Sequence, residues 1–200
     1  IKKASKTSNG VDLQNGMNYP QLISKYTMGA VLYHQACDNY LDEKMTASVK
    51  PNNKPYKKGA YYTGKEHSWD EAFGYWGAAA HTMTLSAQQS YNVAKKKDLK
   101  SADFNKDGIV DLYKEMTYAH AYYASAFDRA GKTNYLKNVT GAFIEGRKII
   151  TAADGEKLSS KDLTKVQDLA QVICSNWAQV LAEAVFKLSL IHISEPTRPR

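Results

Sequence analysis

SKDLTKVQDLAQVICSNWAQVLAEAVFK, residues 160–187, is the stretch that decides the fold class. Leu163, Val166, Ala170, Ile173, Trp177, Val180 and Ala184 recur at alternating steps of three and four. That spacing puts all seven on one side of a 3.6-residue helix and leaves the polar residues on the other. The reading is a helix from Ser160 to about Lys187 whose apolar stripe needs partners.

Working outward, the same period returns. A helix is expected over about 133–152, stopped near Gly155. Leu112, Met116, Ala119, Tyr123 and Ala126 predict another from about Val110 to Ala130, with Gly131 as its stop. Leu22, Tyr26, Gly29, Tyr33, Ala36 and Tyr40 predict a first helix over about 20–46, with Pro20 near its N1 position. Ser68-Trp69-Asp70-Glu71 reads as a capping box that opens a helix containing Ala72, Phe73, Trp76 and Ala80 and leaves His67 outside it. Residues 81–100 suit more helix followed by a lysine-rich connection. Residues 48–65, with Pro51, Pro55, Gly59 and Gly64, read as a long loop. No segment alternates with period two for long enough to demand a strand. The fold class is therefore all-α: a bundle of about five long helices with one inserted EF-hand-like calcium loop, forming a single domain over 19–187 after an irregular lead-in over 1–18.

Composition narrows the function classes. Hydrophobic residues at 43% can build a sizeable core. No apolar run approaches the ~20 residues that span a bilayer, so no membrane span is expected. The net charge of +7 is spread over scattered lysines. The clusters Lys95-Lys96-Lys97 and Lys57-Lys58 read as solvated faces, not as a nucleic-acid surface. Cys37 and Cys174 both fall in apolar helical patterns; they are read as buried thiols, and a disulfide requires that their two helices touch. From about Leu188 the sequence resembles translated library adapter, so residues 188–200, His192 included, are set aside as a non-native tail. The chain is read as a fragment truncated at both ends, which leaves room for a lipid anchor ahead of Ile1.

The residues with the sharpest chemistry are Asp103-Phe104-Asn105-Lys106-Asp107-Gly108-Ile109-Val110-Asp111. Oxygen side chains stand at loop positions 1, 3, 5 and 9, and a glycine at 6, as a loop that wraps a calcium ion requires. Ile109 offers its carbonyl. Position 12, the place of a bidentate Glu, is Lys114, so Glu115 is the expected closing ligand. The candidate calcium set is Asp103, Asn105, Asp107, Ile109, Asp111 and Glu115. A solitary loop of this kind suits an ordering ion in an extracellular module better than a paired sensor.

A second candidate metal set, for iron or zinc, is His34, Asp38, His67 and Glu71, with His120 and Glu145 as further inward-pointing groups. Capping and helix-dipole roles for Asp70 and Glu71 are the competing reading. No glycine-rich phosphate loop, CxxC, HExxH or GxSxG is present, so no catalytic nucleophile is assigned. Tyr56, Tyr61 and Tyr62 lie in the lysine-rich loop, where they suit a glycan or protein surface or pack back onto the bundle.

Three segments carry a family resemblance: residues 26–36 (YTMGAVLYHQA), 38–42 (DNYLD) and 66–77 (EHSWDEAFGYWG), joined by the acidic loop from Asp103. Together they make most of residues 20–150 resemble the bacterial family known as domain of unknown function 4856. The resemblance implies an exported, lipoprotein-type helical domain of the periplasm or cell surface in Gram-negative bacteria, and it brings no reaction with it. A fainter likeness is to imelysin-type proteins, helical exported domains linked to iron uptake. Their motif places Glu three residues after His, whereas Glu71 lies four after His67 and Asp70 takes the third place. The expected function is an exported, calcium-stabilised domain that binds a ligand or partner. The alternative is an imelysin-like metal-handling protein, and a hydrolase in a cleft between bundle halves stands as a third class.

Overall fold

The computed structural model describes residues 10–12 and 17–194. It is all-α apart from two two-residue strands, β1 (Val11–Asp12) and β2 (Met17–Asn18), which pair antiparallel. The lead-in expected to be irregular thus holds a small ladder; its residues 1–9 and 13–16 lie outside the described residues. Among the described residues seven α-helices follow: α1 Tyr19–Thr27, α2 Gly64–Trp76, α3 Ala87–Ala94, α4 Leu99–Ala102, α5 Ala119–Asp128, α6 Tyr135–Ala152 and α7 Ser160–Ser194.

Local chemistry sets the boundaries. Asn18 caps α1 by accepting from the Gln21 amide at 3.2 Å, with Pro20 in the first turn. The helix then continues through two π-wound segments, Met28–Tyr33 and Gln35–Tyr40, and stops there instead of at 46. The second helix opens at Gly64, not at Ser68. Its capping box is Thr63 with Glu66: the Glu66 amide donates to the Thr63 hydroxyl at 3.2 Å, and Glu66 Oε2 accepts from the Thr63 amide at 2.8 Å. Both quartets have the right letters, but Ser68 is buried inside the helix and its hydroxyl caps nothing. The expected helix over 110–130 begins only at Ala119, because the backbone over 103–118 is committed to the acidic loop and its hydrogen bonds. Residues 81–100 resolve into a 3₁₀ turn at Thr82–Thr84, α3 and the start of α4. The last helix passes the expected end at Lys187 and takes in positions 188–194 of the tail; residues 195–200 lie outside the described residues.

The core sits where α2, α5, α6 and α7 meet the π-wound part of the first helix. Trp69, Trp76 and Trp177 are completely buried at its centre. Trp69 donates its indole N–H to the Phe143 carbonyl at 2.8 Å, and Trp76 donates to the Thr140 hydroxyl at 3.3 Å. Gly146 makes the α2–α6 approach possible: a Cβ there would lie 2.1 Å from the Trp69 ring. The seven apolar residues of 160–187 that predicted α7 are all buried except Leu163, which is half-buried. Cys37 and Cys174 do touch, and they form a disulfide with Cα atoms 5.8 Å apart, joining the first helix to α7.

Two buried polar groups pin the segments around α2. Lys65, 2% exposed, donates from Nζ to the carbonyls of Lys44, Thr46 and Val49 at 2.9, 2.5 and 2.7 Å. Burial pulls its pKa down to about 8, and three carbonyl acceptors favour the ammonium at neutral pH. Asn52 donates to the carbonyls of Ile150 and Glu156 and accepts from the Thr63 hydroxyl. The loop over 48–63 is therefore tied to the body of the domain.

Candidate functional site

The acidic loop is built from Asx turns. Asp103 accepts from the amides of Asp107 at 3.2 Å and Gly108 at 3.0 Å. Asn105 accepts from the Asp107 amide, and Asp107 from the Ile109 amide at 2.8 Å. Gly108 takes a left-handed φ of 82°, which the turn demands. Val110, at position 8, packs against the small cluster of Leu85, Val93, Ala102 and Met116, which fixes the loop to α3 and α4. Glu115 spans the loop from beneath: Oε1 accepts from the Phe104 and Asn105 amides at 3.0 and 3.4 Å, and Oε2 from the Asp111 amide at 2.8 Å. It is 5% exposed, whereas Lys114 points outward to Asp111 at 3.4 Å. The Tyr113 amide holds the Asp111 carboxyl below its usual range. The donor types and their order fit calcium, but the carboxylates are spread over backbone amides. Among the described residues, no three His, Cys, Asp or Glu side chains gather as a metal-holding group.

That last observation also bears on His34, Asp38, His67 and Glu71. They form two pairs, not one cluster. His34 contacts Asp38 one turn on, both largely exposed. His67 lies inside α2, and its Nε2 meets Glu71 Oε1 at 2.9 Å. The i, i+4 spacing is satisfied within each helix, so neither pair needs the other. Glu145 faces Lys148 on the surface of α6 at 3.7 Å. His120 is 1% exposed with neither ring nitrogen hydrogen-bonded, and it packs edge-on against Trp177. Burial, with Lys25 nearby, lowers its pKa to about 4, so the imidazole is neutral.

A groove of about 650 Å³ lies between α2 and α6, within the size range of small-molecule sites. Trp69, Phe73, Phe143 and Ile144 form its apolar walls. One end is charged. Arg147 donates from Nε to Asp70 at 2.8 Å and from Nη1 to Glu66 at 2.7 Å, and it also contacts the Thr151 hydroxyl. Burial pushes the Glu66 carboxyl up, but the Thr63 amide and the Arg147 guanidinium outweigh it and hold the pKa low. For Asp70 the balance tips the other way: burial wins over Arg147, and its pKa is raised. One guanidinium thus holds two carboxyls of unequal basicity at the end of an apolar slot. Sequence reasoning missed Arg147 and Ile144, since a Gly-Arg pair in mid-helix announces no partner. It assigned Asp70 and Glu71, not Glu66, to capping.

The fold and these sites define an all-helical, disulfide-linked domain with an apolar groove and an Asx-rich loop. The family model described as domain of unknown function (DUF4856) matches residues 4–192, and the chain belongs to that family. No curated protein and no solved structure matches it.

Proposed function

We propose that this is a non-catalytic binding domain of an exported protein, which takes a ligand with an apolar body and a charged end into the groove between α2 and α6. The observation that carries the reading is the preformed groove itself, with aromatic walls and a charged end at Arg147 and Asp70, where Arg147 is also paired with Glu66. The Cys37–Cys174 disulfide supports export to the periplasm or cell surface, because such bonds persist in oxidising compartments. The Asp103–Glu115 loop supports an ordering calcium ion. In this reading Asp103, Asn105, Asp107, the Ile109 carbonyl, Asp111 and Glu115 would hold the ion, whose charge would order the loop. No observation favours iron or zinc at His34, Asp38, His67 and Glu71.

Anilinonaphthalene sulfonate, an apolar bicycle with an anionic end, tests the groove. The expectation is saturable one-to-one fluorescence enhancement on the folded protein, weakened at least tenfold by Ile144→Glu, which sits at the half-exposed wall. Absence of saturable binding, or binding indifferent to Ile144→Glu, rejects the reading. Calcium is tested separately. A site of ~10⁻³ M affinity at tenfold excess adds about 1.4 kcal/mol, or roughly 3–6 °C in Tm, and Asp103→Ala with Asp107→Ala abolishes it. No calcium-specific shift over magnesium at 10 mM (about ten times that affinity) sinks the calcium site.

A further inference from the structure

On a second stripe of α2, separate from the groove, His67, Glu71 and Tyr75 recur every fourth residue and extend into a continuous ridge. At one end the Tyr56 and Tyr62 rings stack on each other, with centroids 5.9 Å apart and planes 22° apart. Both also pack on His67, at 3.7 and 5.5 Å. His67 meets Glu71, and the Glu71 carboxylate raises the Tyr40 phenol above its ordinary pKa. Tyr40 then stacks on Tyr75 at 6.0 Å and 28°. From His67 to Tyr75 the helix rises about 12 Å.

The ridge is rigid for a surface feature. The Tyr56 amide donates to the Tyr62 carbonyl at 2.9 Å, Pro55 bridges Thr63, and Asn52 anchors the loop's root to α6 and the turn beyond it. Preorganisation of this kind lowers the ordering cost of binding. Its chemistry is polar-aromatic: flat rings carrying hydroxyl and imidazole groups, with a carboxylate between them. Its surroundings are basic. Lys44 lies over the Tyr40 ring at 3.9 Å and Lys50 over Tyr56 at 5.0 Å, while Lys54, Lys57 and Lys58 are exposed on the same loop.

We infer that this ridge binds an anionic oligosaccharide, with sugar faces stacked on the tyrosine rings and the sugars' carboxylate or sulfate groups met by the flanking lysines. Rings without lysines would suit a neutral glycan, and lysines without rings would suit any polyanion. Their interleaving along a pinned, elongated surface selects a charged sugar chain.

Titration of the full chain with a galacturonate oligomer, a sulfated dextran oligomer, neutral dextran oligomer and poly-glutamate tests the inference. The expected result is salt-sensitive binding of at least one charged sugar and at least tenfold weaker binding of neutral dextran and poly-glutamate. Tyr56→Ala and Tyr62→Ala each weaken it about tenfold, and Lys50→Ala with Lys57→Ala weakens it and flattens the salt dependence, at unchanged helicity. The galacturonate and sulfated arms identify which acid group is read. Equal binding of poly-glutamate reduces the surface to a basic patch and overturns the inference, as does equal binding of neutral dextran. Failure of both charged sugars to bind overturns it too. Tyr62→Phe, which keeps the ring, retains binding; its failure to do so refutes the stacking role.

Discussion

Removing the Cys37–Cys174 bond should destabilise this domain strongly. The two residues are 137 apart in sequence, so the bond closes most of the domain into one loop. In the chain-entropy account the denatured state then loses about 17 cal/mol/K, or about 5 kcal/mol at 25 °C. Native disulfides in general contribute about 2–5 kcal/mol, which puts this one at the upper end. For a domain of this size each kcal/mol is worth ~2–4 °C, so the expected fall in Tm is roughly 10–20 °C. The double variant Cys37→Ala with Cys174→Ala is the right comparison, because Cys37 is 5% exposed and a serine hydroxyl there would have to be desolvated. Urea denaturation followed by circular dichroism, oxidised against reduced and against the double alanine, separates the terms. Reduced wild type and double alanine should agree closely, with the oxidised protein well above both. Two alkylatable thiols in protein made in an oxidising compartment, or a double-alanine Tm within ~2 °C of the oxidised protein, would refute the reasoning and remove the main support for export.

Three further outcomes follow from buried groups. His120 binds its proton with a pKa of about 4 folded and ~6.5 unfolded, so the unfolded chain takes up more protons between those values. Stability is therefore lost as pH falls from 6.5 towards 4, by about 3 kcal/mol, and a pH series of urea midpoints should show that slope flattened in His120→Leu. Gly146→Ala improves helix propensity, but its methyl would strike the buried Trp69 ring, so a net loss of about 1–3 kcal/mol is expected; an unchanged or higher Tm would falsify this packing. Lys65→Met strips three carbonyls of their donor and should cost roughly 3–5 kcal/mol, with faster amide exchange over 44–49; a loss under about 1 kcal/mol would mean water replaces the ammonium without penalty.

Much of this architecture was legible because the signal was periodic. The stripe in 160–187 is buried as read, apart from half-buried Leu163, and the breaks at Gly131 and Gly155 fall where left-handed glycines leave a helix. What failed did so where two local patterns competed. Leu112 and Met116 keep helical spacing, yet the acidic loop consumes the backbone amides that a helix over 110–118 would need, and only from Ala119 does the helix run. Thr63 and Ser68 each head a capping quartet, and the sequence offers no ground for choosing between them until Lys65 is seen to require burial beside the 44–49 carbonyls. The groove was illegible for a different reason: its charged end joins Arg147 to Glu66 and Asp70 across about 80 residues, a pairing created by the α2–α6 contact alone.

That contact explains why α2 is the helix on which the candidate surfaces converge. Its N-terminus is held by the Thr63–Glu66 box, by Lys65 reaching into the 44–49 carbonyls and by Arg147 reaching over from α6. Glu66 serves two of these at once, accepting from the Thr63 amide through one oxygen and from Arg147 through the other. A helix fixed so heavily at one end can serve two separate stripes at once. Trp69 and Phe73 then wall the groove, while His67, Glu71 and Tyr75 carry the ridge. Glu66→Gln thus distinguishes a scaffold from a site: if α2 is a rigid platform, loosening its cap weakens binding at both stripes together, whereas Ile144→Glu or Tyr56→Ala weakens only one.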